Sequence, residues 1–284
     1  MRVTILGSSG QIGAYLTTHL REKGHQVTEF DKNNGHHQDL TQIPNLQLRD
    51  AIYNSDFVYV LAFDVGGSHY LKKYQHTFKF LDNNARMMVN VLGLLEKYDK
   101  PFVFASSQMS NMSYSPYGVM KRVGELYTKS LKGLIVKFWN VYGIEKDMEK
   151  AHVITDFIHK GFETGTIDMM TDGTEEREFL YAEDCCEALE TLMQKHSDFT
   201  SDNELHITTG VSTSILEIAR NIQSLFKEIG KEVDVSPSPS KDEVQKDARN
   251  ISDPYITKWW KPKTNITDGI GKVFEEMRKE YDKG

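Results

Sequence analysis

The stretch RVTILGSSGQIGAYLTTHLREKGHQVTEFD, residues 2–31, decides the architecture of this chain. RVTILG (2–7) is a short apolar run rich in β-branched residues that ends in glycine. Residues 11–24 then place Ile12, Tyr15, Leu16 and Leu20 at helical spacing and stop at Gly24. HQVTEFD (25–31) reads as a second strand. A strand, a helix and a strand in so short a span predict a β-α-β unit with parallel strands.

The alternation continues outward. DFVYVLAF (56–63) reads as a buried strand, 77–98 as a long helix, and PFVFASS (101–107) as a strand. SPYGVMKRVGELYTKSL (115–131) is a helix with Pro116 in its first turn, where a missing N–H costs nothing. GLIVKFWNVYG (133–143) reads as one further strand. Beyond Gly143 come a helix (VITDFIHKGFETG), a strand turning into a helix (EFLYAEDCCEALETLMQKH), a strand (ELHITTG) and an amphipathic helix (SILEIARNIQSLFKEIG). DVSPSPSKDEVQKDARN (234–250), polar and with two prolines, reads as a surface loop. The class is α/β, a Rossmann-type doubly wound parallel sheet with a smaller C-terminal lobe over one edge.

The bulk numbers narrow the partners. The chain has 284 residues, a formal net charge of -7 and 39% hydrophobic residues. An acidic surface argues against nucleic acid, and an anionic ligand must be held by local arginines, lysines or helix N-termini. No apolar run approaches a membrane span. Cys185 and Cys186 are adjacent, which suits neither a disulfide framework nor C-x-x-C chemistry. With MRVTILGSSG lacking the features of a signal peptide, the expected setting is a reducing cytoplasm. His36 and His37 stand in a polar stretch, and no metal site is expected.

The glycines at 7, 10 and 13, with Gln11 and Ile12 between the last two, join the first strand to the first helix. A tight turn, close approach to a pyrophosphate and close helix–strand packing each favour a residue without Cβ. Alone the trio is compatible with a flexible turn; inside a β-α-β unit it points to a dinucleotide. Asp31 ends the next strand, where a carboxylate accepts ribose hydroxyls and repels a 2′-phosphate, which favours NAD over NADP. A plain turn carboxylate is the competing reading for Asp31, and Lys32 leaves room for NADP.

A second pattern follows Ser107. Tyr117 and Lys121 stand four apart and share one helix face. An ammonium beside a phenol lowers its pKa, so Tyr117 is expected to exchange a proton with an alcohol near neutral pH, Ser107 steadying the reacting oxygen. With 13 tyrosines in the chain such a pair also arises by chance as an exposed helical couple. Its place after a strand ending in Ser-Ser raises it above that.

These segments together resemble the extended short-chain dehydrogenases/reductases, in particular the nucleotide-sugar epimerases and dehydratases. GSSGQIG is similar to the family's glycine motif, Asp39-Leu40 to its adenine-contacting pair, and Leu61-Ala62-Phe63 to its strand end beside the cofactor. Asn84 and Asn90 match its central-helix asparagines, SPYGVMK its catalytic S-x-Y-x-x-x-K, and NVYG (140–143), REFLYAED (177–184), ELHITTGVSTSILEIA and ARNISDPYITKWWKPKTNITDGI its later segments. The resemblance implies a bound NAD held by Gly7, Gly10, Gln11, Ile12, Gly13, Asp31, Asp39, Leu40, Leu61, Ala62, Phe63, Asn84, Tyr117 and Lys121. It implies catalysis by Ser107, Tyr117 and Lys121, and a nucleotide-diphosphate sugar held by Ser107, Asn140, Arg177 and Arg249. For Arg177 an ion pair with Glu175, Glu176 or Glu178 competes with that role. The implied domains are a dinucleotide-binding domain over 1–143, with 174–200 returning to it, and a substrate-binding lobe formed mainly by 144–173 and 201–284. The implied assembly is a homodimer through the helices near 77–98 and 115–131.

Three departures bear on the reaction. Only nine residues separate Ser107 from Tyr117, which is expected to leave the nicotinamide pocket more open or to let Met109, Asn111 and Met112 line it. Gln108 and Met109 stand where the related 4,6-dehydratases carry an Asp-Glu pair, and the Glu that the related sugar-acid decarboxylases carry nearby is also missing, which disfavours both reactions. Lys137 replaces a common family arginine. The leading expectation is an NAD-dependent nucleotide-sugar epimerase acting through a ketone at C4. The runner-up is a reductase of a 4-keto nucleotide sugar, a 4,6-dehydratase is the further enzymatic alternative, and a dinucleotide-sensing regulator is the rival that is not an enzyme.

Overall fold

In the computed structural model, which describes residues 1–245 and 250–283, the opening stretch forms the predicted unit. Arg2–Leu6 is β1, Gln11–Glu22 is α1 and Gln26–Phe30 is β2. Leu16 and Leu20 of α1 are buried against the sheet, as the helical spacing requires. After a polar connection come Leu46–Tyr53 (α2), Phe57–Val60 (β3), Ser68–Tyr74 (α3) and Phe78–Tyr98 (α4). Phe102–Ser107 (β4), Pro116–Ser130 (α5) and Leu134–Phe138 (β5) follow. Strands β1, β3, β4 and β5 read as near-continuous apolar runs because helices cover both faces of a parallel sheet.

The chain then passes through Asn140–Tyr142 (β6), Val153–Thr164 (α6), Thr166–Asp168 (β7), Glu176–Tyr181 (β8), Ala182–Gln194 (α7) and Leu205–Ile207 (β9). It ends with Ser212–Ser214 (β10), Ile215–Glu228 (α8), Asp234–Ser236 (β11) and Ile266–Tyr281 (α9). The main sheet has the order β2-β1-β3-β4-β5-β9, all parallel. Its order reverses between β1 and β3, so the ligand crevice of such a fold opens at the carboxyl ends of those two strands.

One core fills the space between this sheet and α1 and α7, with Leu20, Leu189 and Trp260 in it. A second lies on the opposite face against α2 and α4. A third, built from Phe157, Phe179, Ile222, Phe226 and Phe274, holds the smaller lobe of α6, α8 and α9. Cys185 and Cys186 are both buried free thiols in the first core. Trp260 and the partly buried Trp259 pack there too, Trp259 against Phe199 at 4.7 Å between ring centroids.

The structure departs from the sequence reading in three places. The stretch 133–143 is two strands: the chain breaks at Trp139, and β6 leaves the main sheet for a small one of order β10-β8-β6. The 201–284 segment is divided between the lobes, because β9 pairs Leu205, His206 and Ile207 with Val136, Lys137 and Phe138 of β5. Ile256 and Trp260 likewise join the core of the larger domain. The polar stretch 234–250 is more than a surface loop. Its described residues contain β11, and Val244 beyond that strand is only 5% exposed.

Candidate active site

The glycine loop is built by close backbone approach. Gly7 has φ +90°, and a Cβ there would stand 2.7 Å from the Ala62 nitrogen. A Cβ on Gly13 would stand 2.9 Å from both the Gly7 carbonyl carbon and Ser8 Cα, and nearer still to the Gly7 oxygen. Gly10 is the N-cap of α1 and supplies no side-chain cap, so the first N–H groups of the helix face the loop. The Ser8 hydroxyl is buried with no hydrogen-bond partner. Asp31 reaches the same loop: its carboxylate accepts from the Ser9 N–H at 3.1 Å and the Asn33 N–H at 2.9 Å. An uncapped helix N-terminus, a cradle with no room for Cβ, an orphaned hydroxyl and a carboxylate at the next strand end fit a dinucleotide.

The remaining residues assigned to the cofactor divide by what they touch. Leu61 and Ala62 donate their N–H groups to the Leu6 carbonyl at 3.0 and 2.8 Å, and Ala62 is the neighbour that excludes a side chain at Gly7. The Asp39 carboxylate accepts from the Thr41 N–H at 2.9 Å and hydroxyl at 2.8 Å. The carbonyl of buried Leu40 accepts from the Asn90 amide at 2.7 Å. Gln11, its amide turned to satisfy both neighbours, donates to the Val141 carbonyl and accepts from the Gly143 N–H, each at 3.2 Å. It therefore ties α1 to the end of β6. Ile12 packs on the first core. Asn84 is fully buried and spends its amide on protein: it accepts from the Asp64 N–H at 2.7 Å and donates to the Phe80 carbonyl at 3.0 Å. It fixes the segment after β3.

Ser107, Tyr117 and Lys121 converge at the end of β4. The Tyr117 ring meets Phe63 edge-on at 5.8 Å, and Phe63 follows Ala62, which backs Gly7; the phenol and the glycine loop thus share one crevice. Lys121 Nζ donates to the Ala105 carbonyl at 2.6 Å and lies 3.7 Å from the Phe63 ring centroid. The Ser107 hydroxyl accepts from the Met109 N–H at 3.1 Å and faces the phenol, whose pKa it pulls down.

The electrostatics correct one expectation. Burial pushes the Tyr117 phenol up to about 12, with the Ser107 hydrogen bond pulling the other way. Burial likewise pulls the Lys121 ammonium down to about 7, opposed by the charge of Glu125. Lys121 does not acidify the phenol beyond its solution value. Desolvation outweighs the pair's attraction, since Lys121 spends its hydrogen bond on a carbonyl and stands 5.7 Å from the phenol ring.

Of the two outcomes expected for the short connection from Ser107 to Tyr117, a more open pocket or one lined by nearby residues, the structure has the second, with Met109 and Met112 against Tyr117. Residues 108–111 form a 3-10 turn folded onto the start of α5, where a Cβ on Gly118 would run into the Met109 carbonyl. Met109 and Met112, each 2% exposed, pack with Tyr117, Tyr70, Leu71, Phe80 and Val244. The Gln75 side chain accepts from the Ser115 hydroxyl at 3.0 Å and the Tyr117 N–H at 3.4 Å. Gln108 donates to the Gln245 side chain at 2.9 Å, and Asn250 donates back to the Gln108 carbonyl at 2.9 Å.

Asn140 and Arg177 lie on neighbouring strands, with the Asn140 amide donating to the Glu178 carbonyl at 3.1 Å. Arg177 pairs with none of the three local glutamates. Its guanidinium donates to Asp242 at 2.5 Å and to the Gln245 carbonyl at 2.8 Å, so the 242–245 segment reaches both the lobe and the phenol cluster. Arg249 lies outside the described residues. Glu178, buried on β8, accepts from Thr208 at 2.8 Å and from Ser252 at 3.0 Å. Among the described residues no group of three or more His, Cys, Asp or Glu is placed to hold a metal ion.

Sequence reasoning missed Glu125, Gln75, Asp242 and Val244. Glu125 had a signal, four residues past Lys121 on the same helix face, and Val244 had one as a branched aliphatic in a polar run. Gln75 and Asp242 had none, since only the tertiary fold brings them here.

The model of the family described as NAD dependent epimerase/dehydratase matches residues 3–207. A putative UDP-glucose 4-epimerase of Methanocaldococcus jannaschii is 27% identical over 310 residues, covering 97% of this chain and 98% of that protein. UDP-glucuronic acid decarboxylase 1 of Xenopus tropicalis is 23% identical over 317 residues, covering 99% of this chain and 73% of that one. The UDP-glucose 4-epimerase of Thermotoga maritima, solved with UDP-glucose, shares the fold with a TM-score of 0.80 at 21% identity, over 99% of this chain and 100% of that chain.

Proposed function

Because the chain belongs to the NAD-dependent epimerase/dehydratase family and its cofactor is NAD, we propose that it epimerises a nucleotide-diphosphate sugar through transient oxidation of the C4 hydroxyl to a ketone. The observation that carries this reading is the character of the walls around Tyr117. Ser107, Tyr117 and Lys121 converge, while the adjoining turn offers Gln108, Met109 and Met112 and no carboxylate. Dehydration and decarboxylation call for an added acid or base there; proton transfer at one hydroxyl does not.

NAD, when bound, supplies a reversible hydride acceptor for the sugar carbon. The main-chain N–H groups around Gly7, Gly10 and Gly13 would hold its pyrophosphate, and Asp31 its adenosine ribose. Tyr117 takes the hydroxyl proton and returns it. Ser107, facing the phenol, orients the reacting oxygen. Lys121 holds the nicotinamide ribose and keeps positive charge beside the developing phenolate. Arg177 and Asn140, joined by Arg249, take the diphosphate, and its oxygens compete with Asp242 for the Arg177 fork. The exposed apolar side chains Phe78 and Val89 on α4 and Val119 and Leu126 on α5 support a homodimer through those helices.

The test is to purify the protein and look for retained NAD. UDP-, GDP-, dTDP- and CDP-sugars are then screened by thermal shift, and those that bind are incubated and resolved by chromatography. Interconversion of two epimers without consumption of reduced cofactor is the expected result. Stoichiometric consumption of NADH or NADPH would replace the epimerase by a reductase, and loss of water or carbon dioxide would replace it by a dehydratase or decarboxylase.

A further inference from the structure

Three successive residues at the end of β4 each engage one residue on a single face of α5. The Ala105 carbonyl accepts from Lys121 at 2.6 Å, the Ser106 hydroxyl meets the Glu125 carboxylate at 2.5 Å, and the Ser107 hydroxyl faces the Tyr117 phenol and pulls its pKa down. Tyr117, Lys121 and Glu125 are spaced i, i+4, i+8, which stacks them on one side of the helix. All three are buried, at 8%, 3% and 2% exposure. A carboxylate taken so far out of water is costly unless its charge has a counterpart.

We propose that Glu125 is a positioning residue of this site, the buried counter-charge that keeps Lys121 an ammonium. Its catalytic consequence rests on the proton-transfer reading given above; its electrostatic content does not. Among the described residues, the other groups around Lys121 offer it no anion. Phe63 from the segment after β3 and Phe104 from β4 present rings, and Tyr117 a neutral phenol. Asp64, next to Phe63, is engaged by the Tyr70 hydroxyl at 2.7 Å and by Lys150 at 3.1 Å. Lys137 of β5, beside Ser106 in the sheet, is paired with Glu204 at 3.2 Å. Arg122 binds the other oxygen of Glu125 at 2.7 Å from a half-exposed position, which orients the carboxylate without replacing Lys121 as the buried cation. Burial drives Lys121 towards neutrality and Glu125 opposes it.

A merely structural Glu125 would tie α5 to β4 through Ser106, a bond that an uncharged amide also makes. Glu125→Gln therefore separates the two roles. Protein carrying 13C-labelled lysine, with Lys121 assigned through Lys121→Arg, reports the protonation midpoint of Lys121 by NMR across pH. In Glu125→Gln the proton affinity of Lys121 should fall about tenfold, one unit in midpoint. Glu125→Asp, which keeps the charge and withdraws it by one methylene, should give an intermediate midpoint. A folded Glu125→Gln with an unmoved midpoint overturns the proposal. If that variant fails to fold, an unmoved midpoint in Glu125→Asp does so. Should the midpoint move while no nucleotide sugar is turned over, the proposed reaction fails and the assignment of Glu125 stands; epimerisation with an unmoved midpoint is the reverse.

Discussion

Replacing Gly13 by Ala and Gly271 by Ala makes the same chemical change at two helix positions and should have opposite effects. In an open helix interior Ala is favoured over Gly by about 1 kcal/mol. Gly271, in α9, has nothing within 4 Å of an added Cβ, so Gly271→Ala should collect that gain. At Gly13 the added atom meets backbone only: the Gly7 carbonyl group, and Ser8 Cα at 2.9 Å. None of these can swing aside, because Gly7 is held at φ +90° by its N–H bond to the Phe30 carbonyl at 2.8 Å and by Ala62 behind it. Either α1 or the loop must shift, a strain of about 1–3 kcal/mol on the scale of overpacked cores, which cancels or exceeds the helix gain. The shift also moves the N–H groups that face the pyrophosphate, so NAD affinity should fall by about tenfold or more. Urea denaturation gives the midpoints and titration calorimetry the NAD affinity. Gly13→Ala matching the parent in both would refute the close-approach argument, and a destabilised Gly271→Ala would refute the use of Cβ clearance as its measure.

Tyr117→Phe keeps the ring contacts with Phe63 and the methionines, so NAD should bind within a few-fold of the parent while turnover falls by about 10²–10⁴; equal losses of both would mean that the phenol is structural. The Lys121 ammonium, lowered from 10.5 to about 7, gives the fold a contribution fully present above about pH 10.5 and lost as pH falls towards 7, because the unfolded chain binds the proton more tightly. The stability difference between parent and Lys121→Met, followed by urea midpoints, should therefore grow in the parent's favour from pH 7 to 9. Val244→Ala should cost about 1–3 kcal/mol by opening a void against Met109, Met112 and Tyr117, and no loss in denaturation would return residues 242–245 to a plain surface loop. Asp242→Asn removes the competitor at Arg177 and should tighten UDP binding by up to about tenfold in calorimetry; weaker binding would show that Asp242 presents the guanidinium instead of occupying it.

The parallel sheet was legible because its signals are local. Thirty residues suffice to show an apolar strand, a glycine turn, a helix of period 3.6 and a second strand, and Gly7, Gly13 and Asp31 fall where that order requires. Tyr117 and Lys121 were legible for the same reason, since a helix fixes what four residues' separation means. What escaped depends on contacts across the chain. Nothing around Trp139 announces that the strand changes sheets there, because β5 and β6 are both apolar. His206 reads as a lobe residue until β5 recruits it. Val244 is one methyl-bearing residue in a charged run, and only the fold shows that the phenol lies beneath it. The direction of the Tyr117 shift was misjudged because spacing reports a neighbour's charge and says nothing of how much water has been removed from both.

That last point constrains how the site can work. A phenol near 12 costs about 7 kcal/mol to ionise at pH 7, at 1.36 kcal/mol per unit. Turnover of roughly 1–10³ per second corresponds to a barrier of about 13–17 kcal/mol. Free phenolate formed beforehand would consume about half of that barrier, so the proton must move while the sugar oxygen is engaged, with positive charge already in place next to the ring. Lys121 is the protein's source of that charge, and burial pulls its hold on the proton down towards neutral pH. The alkaline limb of activity is therefore expected to follow loss of the ammonium and not of the phenol's proton. Anything that strengthens the proton's hold on Lys121 widens the working range upward, and the group built to do so is the carboxylate one turn further along α5.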